Sequence, residues 1–423
     1  MTVRQRRGQL LVSASLAAAL SAASLAFLSV PQHLAQDVGH GQRLHLSKML
    51  PRSRRKLVMR SQAGGLKADL PPLLRLPRDQ ALWHLAGPTI AIAVLRTAYG
   101  VIDSAWVGRL GAAELTAMAA SSFAFWVLLI IGEIASVGVH AVAAVREGAG
   151  ERSMVGQAMV QGLWYSLFCS VLSTTLLPLV PAYFRLLGTV DGQVLRAGDT
   201  YLRGLVYGVF PLTASGVLAS GFKGIAKLRP VLVVNLICVA LNFVLDPLLI
   251  WGGMGLPAMG VGGAALATNT CALAATVISC YLLVRAGVPL LPAWPHLRTL
   301  KQITIIGLPM SLGGLLFTAV YVVLGRILSH AGTSNLAALG LGHRVEALAY
   351  TVCEGFGAAA ATIVAQWLGA GRAEEARGAA GYASRVIAWV MVPFSVLMLV
   401  AARPMVSLFT SDPATISAAI SYL

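Results

Sequence analysis

Charge is scarce in this chain. Only 11% of its 423 residues are Asp, Glu, Lys or Arg, against about 25% in soluble domains. A chain this long with so little charge cannot build a surface that water accepts. With 57% hydrophobic residues and a mean hydropathy of +0.76, lipid must supply the cover instead. Cysteines are few and scattered. Cys169, Cys238, Cys271, Cys280 and Cys353 all lie inside apolar runs, and none forms a C-x-x-C pair. That spacing argues against a zinc or disulfide framework and leaves them as small packing residues. No Ser/His/Asp or Cys/His arrangement, metal-ligand set or phosphate loop stands out. No enzymatic activity and no cofactor are therefore expected.

Acids are the scarcest charged class, and the formal net charge is +16. The excess is not spread as a nucleic-acid interface requires, on a folded basic face. Eleven Lys or Arg and one acid, Asp37, fall between Met1 and Lys67, and the remaining excess sits in short loops between apolar runs. Targeting plus the positive-inside rule accounts for that pattern, and no nucleic-acid partner is expected. Residues 1–75 combine Arg4, Arg6 and Arg7, a weakly hydrophobic Ala/Ser/Leu run from Leu10 to Val30, and a second basic cluster from Arg52 to Arg60. Acid-poor, Ser-containing basic sequence of this kind suits an organelle transit segment, with the plastid first, over a secretory signal peptide or an extra helix. The expected destination is a plastid envelope or other organelle membrane, the plasma membrane being the alternative.

A helix crossing the hydrocarbon core needs about 20 apolar residues. Such runs fall near Leu82–Val107, Leu115–Val145, Val155–Leu177, Tyr201–Phe222, Val231–Trp251, Val261–Val284, Ile303–Leu328, Leu336–Trp367 and Ala383–Ala402. The expected fold is all-α, a polytopic membrane bundle of about nine to ten helices. Loops after the even-numbered runs hold Arg146, Arg152, Lys223, Lys227, Arg229, Arg285, Arg298, Lys301, Arg372 and Arg377, whereas the other side holds mainly Arg109, Arg185, Arg196 and Arg403. The bundle is thus expected to start on the cytoplasmic or stromal side.

The chain also repeats itself. A shift of 221 residues puts Pro88 on Pro309, Gly111 on Gly332, Leu115 on Leu336, Ala117 on Ala338 and Glu133 on Glu354. It also puts Gly148-Ala149-Gly150 on Gly369-Ala370-Gly371. Six spans separate the copies, so both halves enter the membrane in the same direction. Transporters are commonly built from such repeats, with sites at the repeat interface near the midplane.

Several segments resemble the MATE (multidrug and toxic compound extrusion) family. Ile102-Asp103-Ser104-Ala105-Trp106-Val107-Gly108-Arg109-Leu110-Gly111 is similar to the end of that family's first helix and its loop. Asn242-Phe243-Val244-Leu245-Asp246-Pro247 resembles the fifth helix, and Gly260-Val261-Gly262-Gly263-Ala264-Ala265 the start of the sixth. Arg344-Val345-Glu346 and Val364-Ala365-Gln366-Trp367-Leu368-Gly369-Ala370-Gly371-Arg372 resemble the eighth helix and its loop. The resemblance runs from about Ala81 to Leu423. It implies two six-helix lobes around a central cavity, exporting organic cations or other amphipathic small solutes in exchange for H⁺ or Na⁺. Residues 76–290 would form the first lobe. Residues 291–423 would form a second lobe lacking its last helices, with a monomeric chain in contact with membrane lipid.

Ionisable side chains inside a membrane are rare and functional by default. Asp246 follows Asn242 by four residues, so both lie on one helix face, and a carboxylate beside an amide can hold a proton or small cation. A helix end at Pro247 is the structural alternative. The resemblance implies that Asp103 is the other acid of that site and that Tyr201 and Thr268 are polar partners. Glu346 is the candidate acid of the second lobe, facing roughly the same way as Glu354 eight residues on. Glu133 and Glu354, one repeat apart, are either cavity residues or lobe-packing residues. Gly260-Val261-Gly262-Gly263-Ala264-Ala265 formally fits a dinucleotide loop but follows no strand, so a tight turn and close helix packing explain it better. Two alternatives to export remain: a flippase for lipid-linked precursors, against which stands the scarcity of intramembrane cations beyond Arg96 and Arg326, and a truncated, non-transporting membrane fragment.

Overall fold

The computed structural model describes residues 70–186, 192–330, 333–407 and 413–422. Residues 1–69 of the expected targeting segment lie outside them. Residues Pro72–Arg75 form a single 3₁₀ turn whose Leu73 and Leu74 are buried among Leu82, Leu85, Phe356 and Trp367.

The described residues are mainly α-helical, joined by turns, two short 3₁₀ helices and an irregular connector at 288–296, with one isolated bridge between Gly253 and Leu256. This is what lipid demands, since a helix satisfies its own backbone groups. In chain order they are α1 (Arg78–Gly108), α2 (Ala112–Gly148), α3 (Arg152–Thr175), α4 (Val180–Leu186), α5 (Gly192–Tyr207), α6 (Val209–Gly224), α7 (Leu228–Trp251), α8 (Val261–Arg285), α9 (Leu297–His330), α10 (Thr333–Gly369), α11 (Ala373–Val400), α12 (Ala402–Ser407) and α13 (Pro413–Tyr422). Among the described residues, six helices are long and apolar enough to cross a membrane, and up to eight spans result if each of two bent pairs counts as one. The sequence reading of nine spans adds Leu336–Trp367, which falls within the 37 residues of α10. Large apolar side chains point outward, as a lipid-facing surface requires. On α11, Trp389 is 80% exposed and Val400 78%.

The two bent pairs show what proline and glycine do here. α3 and the segment Leu177–Arg185 meet at 41°, with Pro178 in the intervening 3₁₀ turn. α5 and α6 meet at 51° around Gly208. Pro211 therefore sits in the first turn of α6, where its missing N–H removes no helical bond. Pro88, Pro247, Pro309 and Pro393 lie within α1, α7, α9 and α11.

Packing reveals the repeat in space. Gly148 of α2 abuts the backbone of Gln366, and Gly369 of α10 abuts the backbone of Val145. Val145 and Gln366 stand one 221-residue offset apart, as do Gly148 and Gly369, so the contact is reciprocal. A Cβ on either glycine would overlap the facing carbonyl. The crossing is reinforced by Gln366, fully buried, whose Nε2 donates to Gly224 O at 2.8 Å at the end of α6. His140 and Thr362 share a further hydrogen bond of 2.8 Å between α2 and α10.

Candidate functional site

α1, α5, α7 and α8 surround the expected acids. α1 packs on α7, α7 on α8, and α8 on α5. The α7–α8 contact is close because Gly263, at the start of α8, sits directly on the backbone of Leu249 and Ile250. That close packing is the role of the glycine-rich segment at Gly260–Ala265, and Gly260 adopts a positive φ of 54° as the N-cap.

Asp103 of α1 is 5% exposed, and Asn242 and Asp246 of α7 are fully buried. Asn242 Nδ2 donates to Asp246 Oδ1 at 2.9 Å, one helical turn apart, as the four-residue spacing requires. α7 runs on through Pro247 to Trp251, so Asp246 is an internal residue and not a helix end. The Tyr201 hydroxyl of α5 donates to Asp103 Oδ2 at 3.4 Å. Asp103 and Asp246 are also close enough to act on each other electrostatically.

The sequence reading passed over Tyr99. It lies one turn before Asp103 on α1 and beside Thr268 and Cys271 of α8, without a hydrogen bond of ordinary geometry to either. Its four-residue spacing from Asp103 was the available signal. Asn269 was also passed over; its Nδ2 donates to Gly204 O at 2.7 Å, tying α8 to α5. Among the described residues, Tyr99 Oη, Asp103 Oδ1, Asn242 Oδ1, Asp246 Oδ2 and Thr268 Oγ1 are buried without a hydrogen-bond partner. Buried polar atoms are ordinarily paired, so such a concentration of lone oxygens is informative. An all-oxygen donor set of two carboxylates, an amide and hydroxyls suits a proton or a hard cation.

The other expected residues stand apart in two groups. Glu346 of α10 accepts hydrogen bonds from Tyr321 Oη of α9 at 2.7 Å and Tyr422 Oη of α13 at 3.0 Å, with His343 Nδ1 at 3.9 Å. Glu354, two turns further along α10, pairs with Arg96 of α1 at 2.6 Å. Glu133 of α2 interacts electrostatically with the same Arg96 and with Lys223 of α6. The eight expected residues thus form one five-membered group, a separate Glu346, and the repeat-related acids Glu133 and Glu354.

A model of the MatE family matches residues 88–248 and 309–423. The chain belongs to the MATE family. The two matched stretches of this MATE transporter start at Pro88 and Pro309, which the 221-residue offset superposes. Among curated relatives, it is 26% identical over 352 residues to the probable multidrug resistance protein NorM of Thermotoga maritima, covering 80% of this chain and 75% of that protein. It is likewise 26% identical over 352 residues to the multidrug resistance protein PmpM of Pseudomonas aeruginosa, covering 81% and 73%. A solved multidrug resistance MATE family transporter of the MOP superfamily, in an outward-facing conformation, superposes with a TM-score of 0.74 at 25% identity, covering 82% of this chain and 78% of that one. The all-helical architecture expected from the apolar runs is thereby shared with solved MATE transporters.

Proposed function

We propose that this MATE chain is a secondary active exporter that moves organic solutes, xenobiotics among them, in exchange for H⁺ or Na⁺ bound at Asp103 and Asp246. The observation that carries the reading is the group of buried oxygens around two carboxylates on membrane-spanning helices. Two carboxylates in one low-dielectric site are costly when both are charged, and a proton or metal cation relieves that cost. Binding of the ion then differs in free energy between arrangements of the helices, which is the only way a ligand can shift them. The multidrug resistance descriptions of its relatives support organic solutes as cargo. The basic, acid-poor segment 1–75 supports delivery to an organelle membrane, the plastid envelope first. Microscopy of the full chain carrying a C-terminal fluorophore checks that destination.

Reconstituted vesicles provide the test of the exchange. Imposing an inward H⁺ or Na⁺ gradient should accelerate solute movement in the opposite direction, and flux indifferent to both gradients would refute the antiport. Asn242→Ala removes the donor that stabilises the charged Asp246 carboxylate, and is expected to shift apparent affinity for the driving ion about tenfold, tighter where that ion is H⁺ and weaker where it is Na⁺ held by the amide oxygen. The concentration dependence of ion-driven flux reads that shift, and an unchanged half-saturation would remove Asn242 from the site.

A further inference from the structure

Residues 286–296 join α8 to α9 and lie between the two repeats. α8 ends at Arg285 and α9 begins at Leu297, and both helices are long and apolar enough to cross a membrane. The connector between them therefore lies at the membrane surface. Its backbone is pinned there. Gln161 of α3, 2% exposed, donates from Nε2 to Trp294 O at 3.1 Å and accepts at Oε1 from His296 N at 2.7 Å. Trp164 Nε1, one turn along α3, donates to Ala293 O at 2.9 Å. Pro292 and Pro295 fix φ on either side of Trp294.

With the main chain held in this way, large apolar side chains stand outward. Leu291 is 68% exposed, Trp294 85% and Leu297 82%. Cations flank them. Arg298 and Lys301, three residues apart at the start of α9, are exposed neighbours on its surface. Arg285, exposed at the end of α8, lies over the Tyr281 ring at 5.2 Å. None of these three enters an ion pair among the described residues. No Asp or Glu occurs from Pro247 to Val345, so the local charge is wholly positive. Glu147, at the end of α2, which packs on α9, is held by Arg152 at 3.0 Å.

We propose that Leu291, Trp294 and Leu297, with Arg285, Arg298 and Lys301, form a docking surface for anionic phospholipid at the joint between the two repeats. The apolar side chains enter the acyl boundary and the cations hold the headgroup. A tryptophan at a membrane interface is by itself indifferent to headgroup charge. The cations supply the selectivity, because a choline headgroup carries its own ammonium beside the phosphate whereas an anionic headgroup leaves a net negative charge. The pinned backbone keeps the three apolar side chains on one side before any lipid arrives, which lowers the ordering cost of binding. Docking of this kind requires the membrane spans alone and is independent of ion-driven export.

The test reconstitutes the full chain into phosphatidylcholine vesicles in which a growing fraction of the lipid is acyl-brominated, either phosphatidylglycerol or phosphatidylcholine. Bromine quenches tryptophan on contact, and the Trp294 signal is the wild-type emission minus that of W294F. Half-quenching should need at least about fivefold less brominated phosphatidylglycerol than phosphatidylcholine, the effect of one cation near an anionic surface. R298Q/K301Q should bring the two lipids close to level while quenching by phosphatidylcholine persists. In the wild type, about 1 M salt should erode the preference, since screening then acts within about 3 Å; this arm covers the case in which R298Q/K301Q does not fold. Inorganic phosphate at constant ionic strength should leave the preference intact. Equal quenching by the two lipids in the wild type would reduce Trp294 to an unselective interfacial aromatic and overturn the proposal. Absence of quenching by either lipid would overturn it too, as would a preference undiminished in R298Q/K301Q or in high salt. Loss of the preference to inorganic phosphate would make a soluble anion the ligand and overturn it equally.

Discussion

Asp246→Asn is expected to abolish ion-driven transport in reconstituted vesicles, bringing flux under an imposed gradient down to the level of protein-free vesicles, while the protein stays folded. Asparagine has the shape of aspartate, and its amide oxygen can still accept from Asn242 Nδ2 at the 2.9 Å seen in the native pair. Helix α7 and its packing on α1 and α8 should therefore survive. What disappears is the negative charge that draws a proton or cation into a buried site. Without it the ion has no differential affinity for either arrangement of the helices, and a gradient has nothing to act on. Solute-for-solute exchange needs no ion, so counterflow of a labelled solute should persist in the same preparation. Asp103→Asn should behave alike, since the Tyr201 hydroxyl can donate to an amide oxygen as it does to Asp103 Oδ2. Wild-type gradient-driven flux in Asp246→Asn would remove α7 from the coupling path. Loss of both drive and counterflow would point to a folding defect, which a thermal melt of the purified variant separates.

How much of this was legible in the sequence depends on the distance over which each feature is encoded. Asn242 and Asp246 are four residues apart, and helical geometry alone puts them on one face, so the pairing could be read directly. Gly260–Ala265 was readable as packing for a similar reason, because small residues in an apolar run have few other uses. The span Tyr201–Phe222 was read less well. Its bent helix pair begins at Gly192, but Arg196, Asp199 and Arg203 interrupt the apolar run that marks a span. The structure resolves that conflict locally, with Arg203 Nε donating to both Asp199 oxygens at 2.8 Å. Contacts between distant helices were out of reach altogether. Nothing near Glu346 announces Tyr422, and nothing near Arg96 announces Glu354, because partners that far apart are chosen by the fold. The 221-residue offset was the exception among long-range signals. It showed that Glu133 and Glu354 were equivalent before any contact was known, though not that the two share Arg96.

The reciprocal crossing of α2 and α10 leads to a second large effect, on stability. Gly148→Leu or Gly369→Leu inserts a side chain where a Cβ alone would overlap the facing backbone carbonyl. Backbone cannot rotate away as a side chain can, so the helices must separate, at a cost of about 1–3 kcal/mol or more for an overpacked contact. Separation also strains the His140–Thr362 hydrogen bond between the same two helices and disturbs Gln366, which stands at the crossing and donates to Gly224 O of α6. Each single variant is therefore expected to melt well below the wild type in detergent. The double variant should melt only slightly lower than either one. Both glycines serve one crossing, and once the first leucine has pushed α2 from α10 the second enters space already opened, so the two effects should be far from additive. Additive losses in the melting temperature would mean that the two glycines guard independent contacts, and that the internal repeat does not meet itself at this crossing.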